Sequence, residues 1–223
     1  MKYEAKIQLS ADEMKLVNNR EWILTKHQII KKIYEMFGEI NNIMKNDVIC
    51  LNQLFPENIK YQTGKISKGE NYQLLPYVIL DYPSFFWKNN IFAVRTMFWW
   101  GNFFSVTLHL SGHHKTKFIN NNPALLSFLK KNNFSICVNE EEWQHNFEEG
   151  NYIPATLISA YAYQQSIEQP FFKIAKKLPL TEWDSAYDFI MKCFNEILDL
   201  LQINFRGGKK DPLPGSPIAG SGL

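Results

Sequence analysis

The chain has 223 residues, 45% hydrophobic and 15% aromatic, and its 24 Lys and Arg residues nearly balance 22 Asp and Glu residues, for a formal net charge of +2. This composition excludes a disordered chain and supplies enough apolar side chains for a sizeable core. So small a net charge creates no strong field, so we predict no nucleic-acid partner and no membrane partner. We expect one globular domain over residues 1–206. Residues 207–223, rich in Gly, Pro and Ser, are interpreted as a flexible linker or a tail added for expression.

The N-terminal sequence and the cysteines both indicate a cytoplasmic protein. The opening residues MKYEAKIQLSADE lack the apolar run of a signal peptide, and no stretch has the roughly 18 uncharged apolar residues of a spanning helix. Cys50, Cys137 and Cys193 are far apart among apolar residues, which is typical of reduced core cysteines. A zinc site needs clustered ligand pairs, so we expect no metal and no cofactor.

A long helical segment is the first predicted element. Ser10 and Glu13 match a capping box, in which each residue's side chain accepts a hydrogen bond from the other's backbone amide. Apolar residues then return mostly every three or four positions as far as Met44, the pattern of an amphipathic helix. We expect a break near the sequence VNNRE, which divides the segment into two helices.

The clearest strand pattern is a hairpin around Gly101 and Asn102. It follows a polar loop with one short strand, residues 56–73, and a further β-rich run. The stretches NIFAVRTMFWW and FFSVTLHL have strand character. Gly101 suits the first central position of a type II′ turn because its φ can be positive without a side-chain clash. We therefore predict a two-residue turn in which Trp100 pairs with Phe103.

This predicted register assigns the hairpin side chains to two faces of the sheet. The first face is apolar apart from Arg95 and is expected to lie beneath helices. The second face mixes aromatic residues with Thr, Ser and His, which is typical of a partly hydrated surface or a cavity wall. A slip of one residue in the turn exchanges the faces on one strand. The first face holds Ala93, Arg95, Met97, Trp99, Phe104, Val106, Leu108 and Leu110, and the second holds Val94, Thr96, Phe98, Trp100, Phe103, Ser105, Thr107 and His109.

The C-terminal half is predicted to add two capped helices. Asn122 is expected to cap a helix that begins at Pro123. Thr181 and Asp184 match the cap of a final amphipathic helix. The fold of residues 139–180 stays open, as a helix or loop up to Gly150 and as helix or strand beyond it.

Together these elements predict an α+β fold. An antiparallel sheet around the central hairpin carries N-terminal and C-terminal helices on one face. The opposite face is left free to bind. The sequence contains no internal repeat and no Gly-rich phosphate loop.

Arg95 requires a partner because a guanidinium stays charged and is costly on an apolar face without an anion. Asp81 is the nearest candidate if its strand lies beside the hairpin. A structural Arg95–Asp81 pair, or an arginine that extends to the sheet edge, is favoured over an arginine that binds an anionic ligand.

Three histidines, His109, His113 and His114, lie close together in the sequence HLSGHH. A transition-metal site needs three or four converging ligands, whereas adjacent residues of a strand point to opposite faces. We therefore interpret His113 and His114 as solvent-facing residues of a loop. His109, on the mixed face, is the histidine we expect to act if any of them does.

The density of aromatic residues without a catalytic constellation favours a non-enzymatic binding or protein-interaction domain. Its partner is expected to be a small apolar or anionic ligand, or a protein. A metal-dependent or other hydrolase centred on His109, His113 and His114 is the alternative, and a homodimer interface is a third use of the aromatic residues. The predicted binding residues are Tyr77, Asp81, Arg95, Phe98, Trp100, Phe103 and His109.

Overall fold

The computed structural model describes residues 7–51, Phe55, Ile59, 62–119 and 122–207, with side chains as far as residue 202. None of the helices in this part of the chain is long and apolar enough to cross a bilayer. The elements in chain order are α1 (Ala11–Val17), α2 (Arg20–Cys50), β1 (Lys65–Tyr72), β2 (Leu75–Trp87), β3 (Asn90–Trp99), β4 (Phe103–Ser111), α3 (Gly112–Ile119), α4 (Leu125–Lys131), β5 (Ser135–Cys137), β6 (Tyr152–Pro154), α5 (Ala160–Glu168), β7 (Phe171–Pro179), a 3₁₀ helix (Leu180–Ser185) and α6 (Ala186–Gly207).

The strands of the described residues form a seven-stranded sheet in the order β1-β2-β3-β4-β7-β5-β6. Every neighbouring pair is antiparallel. The first four strands are neighbours in chain order, whereas β7, the last strand of the chain, lies between β4 and β5. The predicted α+β class with an antiparallel sheet is therefore confirmed.

The N-terminal helices begin as the sequence predicts. The Glu13 amide donates to Ser10 Oγ at 3.3 Å and the Ser10 amide donates to Glu13 Oε2 at 2.7 Å. The break near VNNRE is also present, since Asn19 ends the connection and accepts a hydrogen bond from the Trp22 amide at 3.0 Å. The apolar spacing of α2 buries Ile33, Phe37, Ile40, Met44 and Val48.

One face of the sheet, here called the helix-covered face, belongs to the main core. It carries Val78, Phe92, Phe98, Phe104 and Ile174, among other apolar side chains. Buried residues of α2 and α6 are members of the same hydrophobic cluster. Both terminal helices thus bury their apolar stripes against this face.

The predicted two-residue turn is wrong, and Trp99 pairs with Phe103 instead. The Asn102 amide donates to the Trp99 carbonyl at 3.0 Å, and Gly101 has its positive φ of 73° at the second central position of that turn. A type II turn requires this placement. The connection therefore spans residues 100–102, and the pairing of β3 with β4 is shifted by one residue. The β4 side chains of Phe104, Val106, Leu108 and Leu110 lie on the helix-covered face as predicted. The β3 side chains of Arg95, Met97 and Trp99, which were also predicted to lie beneath helices, are on the opposite face.

The predicted caps of the C-terminal half are also wrong. α4 begins at Leu125, after a turn in which the Asn122 side chain accepts from the Ala124 amide at 3.0 Å. Thr181 lies inside the 3₁₀ helix, and α6 begins only at Ala186. The predicted tail lies outside the described residues apart from Gly207.

Candidate ligand-binding site

The face of the sheet opposite the helix-covered face is covered by one irregular segment, residues 139–151, here called the 139–151 loop. Its base is the antiparallel pair Cys137 and Tyr152, extended by a hydrogen bond of 2.9 Å from the Val138 amide to the Asn151 carbonyl. We call this side the loop-covered face. Its strand residues include Asp81, Arg95, Met97, Trp99, Phe103, Ser105, Thr107, His109, Lys173 and Ala175.

One end of the loop-covered face is aromatic. Phe147 of the loop stacks on Tyr152, with ring centroids 4.7 Å apart, and meets the Phe103 ring edge to face at 5.2 Å. Phe103 in turn packs on Trp99 at 5.3 Å. This end of the loop is held by apolar contact.

The other end carries the predicted ion pair. Asp81 and Arg95 are directly opposed in β2 and β3. Arg95 Nε donates to Asp81 Oδ1 at 2.7 Å and Nη2 donates to Oδ2 at 2.9 Å, and the two side chains are only 14% and 10% exposed. The predicted Arg95–Asp81 ion pair is therefore present, with the bidentate geometry that a guanidinium provides.

The third guanidinium contact joins Arg95 to the loop. Arg95 Nη1 lies 2.9 Å from His145 Nε2. Arginine only donates, so His145 Nε2 must be the unprotonated acceptor of a neutral ring. Burial and the adjacent Arg95 charge lower the pKa of His145 well below its ordinary value, in agreement with a neutral ring.

His109 makes a second contact between sheet and loop. Its Nε2 lies 2.7 Å from Glu142 Oε1. The hydrogen bond from His109 lowers the pKa of Glu142, so the carboxylate accepts and His109 Nε2 carries the donated proton. Burial lowers the pKa of His109, although the hydrogen bond to Glu142 partly opposes this effect. The pair is thus a neutral imidazole that donates to an ionised carboxylate.

Lys173 is the most deeply buried cation of the face, at 1% exposure. Its Nζ donates to the Glu142 carbonyl and to the Gln144 carbonyl, each at 2.7 Å. Burial lowers the pKa of Lys173 to about 8. One ammonium group therefore binds two backbone carbonyls of the loop, separated by one residue.

Two further side chains complete the enclosure. The Tyr72 hydroxyl accepts from the His145 amide at 2.7 Å and from the Asn146 amide at 3.0 Å. Trp143, which is 49% exposed, lies with its ring 5.7 Å from the Arg95 guanidinium and 5.3 Å from the His109 ring. The half-exposed indole therefore lies on the solvent side of Arg95 and His109.

The predicted binding residues divide between the two faces. Tyr77, Asp81, Arg95, Phe103 and His109 lie on the loop-covered face. Phe98 and Trp100 do not join them. Phe98 packs in the core against Phe104 and Trp183, and Trp100 packs against Phe98 and Trp22.

The three histidines are separated. His113 is exposed as predicted, but it lies in the helix α3 and not in a loop. His114 is buried between Phe85 and Phe92, so its solvent-facing interpretation is wrong. His109 lies on the opposite face of the sheet from His114. Among the described residues, no group of three or more His, Cys, Asp or Glu side chains is placed to hold a metal ion.

The predicted binding residues did not include the loop residues Glu142 and His145, or Lys173. A signal for Lys173 was present, because a lone lysine in the apolar strand sequence FFKIA raises the same question as Arg95. Cys137 also borders the cluster, where burial raises its pKa and favours the unreactive thiol. Comparison of the chain with protein-family models, with curated proteins and with solved structures finds no match.

Proposed function

We propose that this chain is a non-enzymatic binding domain that binds a ligand bearing an anionic group on the loop-covered face. The ligand contacts Arg95, His109 and Lys173, and Asp81 holds Arg95 in place. We call these four side chains the strand cluster.

The observation that carries the proposal is the concentration of buried ionisable groups on one face. The opposite face of the same strands is mainly apolar, and its ionisable strand residue Lys176 is paired with Glu196 of α6. Burial of charged groups costs several kcal/mol per ion before compensation, so a core built for stability alone does not need them. Ionisable groups with perturbed pKa values that cluster beneath a loop are typical of functional sites. His109, Glu142, His145 and Lys173 all belong to this class.

The charge of the strand cluster indicates the sign of the ligand. Arg95 and Lys173 supply two positive charges against one negative charge on Asp81, and His109 is neutral. All acceptors for Lys173 and for Arg95 Nη1 in this cluster come from the 139–151 loop. A ligand that replaces these loop groups must therefore supply acceptor oxygens, and the net positive charge favours an anion.

Aromatic side chains favour a ligand with an apolar part beside its anionic group. His109 lies 5.3 Å from the Trp143 ring and 6.0 Å from the Phe171 ring. A planar apolar group that takes the place of the half-exposed Trp143 indole can pack beside His109 and Phe171.

The test is a titration of ¹⁵N-labelled protein with sodium benzoate and, separately, with inorganic phosphate, followed by amide chemical shifts. We expect saturable shifts at Arg95, His109 and Lys173. The variant Lys173→Met should weaken binding by at least about tenfold, because it removes a charged donor.

Lys177→Met is the matched control. Lys177 lies on the same strand and the same face but is exposed, so its substitution should change the affinity by less than about twofold. Thermal melting of both variants establishes that they are folded. Shifts confined to surface lysines, or equal affinity of wild type and Lys173→Met for both anions, contradict the proposal.

A further inference from the structure

We infer that the 139–151 loop is an internal substitute for the ligand, and that the natural ligand is an acidic peptide segment of a partner protein that displaces it. This inference rests on the proposed function and names both the ligand class and the regulation of the same site.

The contacts of the loop are those of a bound peptide. Lys173 recognises two backbone carbonyls, which any peptide can supply. His109 recognises the carboxylate of Glu142, and the next side chain, Trp143, packs beside both Arg95 and His109. The strand cluster thus binds two carbonyls, a carboxylate and an adjacent aromatic ring in a fixed arrangement. Such a combination identifies a peptide with an acidic residue followed by an aromatic one.

The attachment of the loop allows it to leave. Within the described sheet, residues 139–151 take part in no strand pairing, and side chains from several strands hold the loop. The pair of Cys137 and Tyr152 closes the hairpin below the loop. Release of the loop therefore breaks no strand pairing of the sheet.

The covalent connection of the loop to β5 and β6 gives it an advantage over an external peptide that competes for the same contacts. A segment held by a short connection acts at an effective concentration in the millimolar range. An external peptide with the same contacts binds weakly while the loop is in place, and tightly once the loop is weakened. The loop therefore sets a threshold that only a well-matched or abundant partner exceeds.

The geometry of the hairpin offers a precise way to remove the loop. Deletion of residues 140–149 joins Asn139 to Gly150, and Val138 and Asn151 are already hydrogen bonded. Asn-Gly is the preferred sequence of a two-residue type I′ hairpin turn. The shortened chain keeps the β5–β6 hairpin and exposes the strand cluster.

The experiment measures the affinity of a synthetic peptide of residues 139–151 for four full-chain proteins by isothermal titration calorimetry. They are the wild type, the deletion of residues 140–149, the double variant Glu142→Ala/Trp143→Ala, and Glu149→Ala. The double variant keeps the loop but removes two anchors, and it serves if the deletion does not fold. Glu149 is an exposed loop residue and serves as the charge control.

We expect the peptide to bind the deletion and the double variant at least about tenfold more tightly than the wild type, with Glu149→Ala equal to the wild type. The same peptide carrying Glu142→Gln should bind the deletion variant about tenfold more weakly, because a neutral acceptor replaces the carboxylate.

Equal affinity for wild type and variants overturns the inference, because the loop then does not occupy the site. Equal binding of the two peptides overturns the acidic specificity. If folded variants bind benzoate but not the peptide, the inference fails and the proposed function stands. If the variants bind benzoate, phosphate and peptide equally poorly, both fail together.

Discussion

Each face of the sheet buries one histidine, and the two histidines differ in their hydrogen bonding. His114, next to the helix-covered face, and His109, on the loop-covered face, are 4% and 3% exposed. The ring of His114 lies between Phe85 and Phe92, and neither ring nitrogen finds a hydrogen-bond partner among the described residues. His109 donates to Glu142. Burial alone therefore does not distinguish the two histidines, whereas the polar partner that the loop supplies to His109 does.

The same contrast extends to the covering elements. The helices of one face contribute apolar side chains to a common core. The 139–151 loop contributes a carboxylate, two carbonyls and an imidazole. We infer that the first cover provides stability and the second provides a replaceable contact. Four comparisons of variants test this division, from the largest expected effect to the smallest.

Phe98→Ala should cost the most. Phe98 is 2% exposed and packs on Phe104 and Trp183, so its truncation should lower the free energy of unfolding by about 3–5 kcal/mol. Phe147 is a half-buried residue of the loop, so Phe147→Ala should lower the free energy of unfolding by less than half as much. Urea denaturation of both variants measures the difference. A Phe147→Ala cost equal to that of Phe98→Ala makes the loop part of the core and removes the distinction between the two covers.

Arg95→Met should rank second. It leaves the Asp81 carboxylate largely buried without its bidentate partner, and we expect a loss of about 2–3 kcal/mol after allowance for the 14% exposure of Arg95. The double variant Arg95→Met/Asp81→Leu removes both charges and should recover most of that loss. Urea denaturation of the single and double variants gives the comparison. If the double variant is no more stable than the single one, the pair is not a balanced buried unit.

The features that the sequence predicts well are those set by local patterns. The Ser10–Glu13 capping box and the α2 stripe depend on residues within one or two turns of helix. The Asp81–Arg95 pair was also predictable, because a guanidinium on a strand requires an anion and few were near. In each case the local chemistry leaves one favourable answer.

The turn at Gly101 shows why the faces were not predicted correctly. A single glycine permits positive φ at either central position of a turn, and the two choices differ by one residue in register. That choice exchanges the faces of β3 relative to β4, so Arg95, Met97 and Trp99 of β3 lie on the loop-covered face and not beneath the helices. The loop-covered face was unpredictable for a second reason: Glu142 and His145 reach His109 and Arg95 through tertiary contacts across 33 and 50 residues of sequence. The hydrophobic periodicity of the sequence gives no information about such long-range contacts.

Lys173 provides a pH-dependent test with an effect of on the order of 2–3 kcal/mol. Burial lowers its pKa to about 8 in the folded protein, from 10.5. Between these values the unfolded chain binds more protons, so stability rises with pH as the cost of the buried charge is relieved. The free energy of unfolding of the wild type minus that of Lys173→Met should therefore increase from about pH 8 to about pH 10.5. The subtraction cancels tyrosine and cysteine titration. If this difference in the free energy of unfolding does not change with pH, burial does not lower the pKa of Lys173 in the folded protein.

His114→Phe should have the smallest effect at neutral pH and separates the two histidines most sharply. Phenylalanine removes two unpartnered ring nitrogens from an aromatic pocket, so stability at pH 7 should rise or stay within about 1 kcal/mol of the wild type. Burial lowers the pKa of His114 to about 4, so the unfolded chain takes up protons first as the pH falls from 6.5, and the wild type loses stability relative to the variant down to about pH 4. His109→Phe should instead abolish benzoate binding, because it removes the hydrogen-bond donor that the proposed ligand contacts in place of Glu142. Thermal melts from pH 7 to pH 4 and the benzoate titration, run on both variants, compare them directly. Loss of binding in His114→Phe, or its retention in His109→Phe, reverses the assignment of function to the loop-covered face.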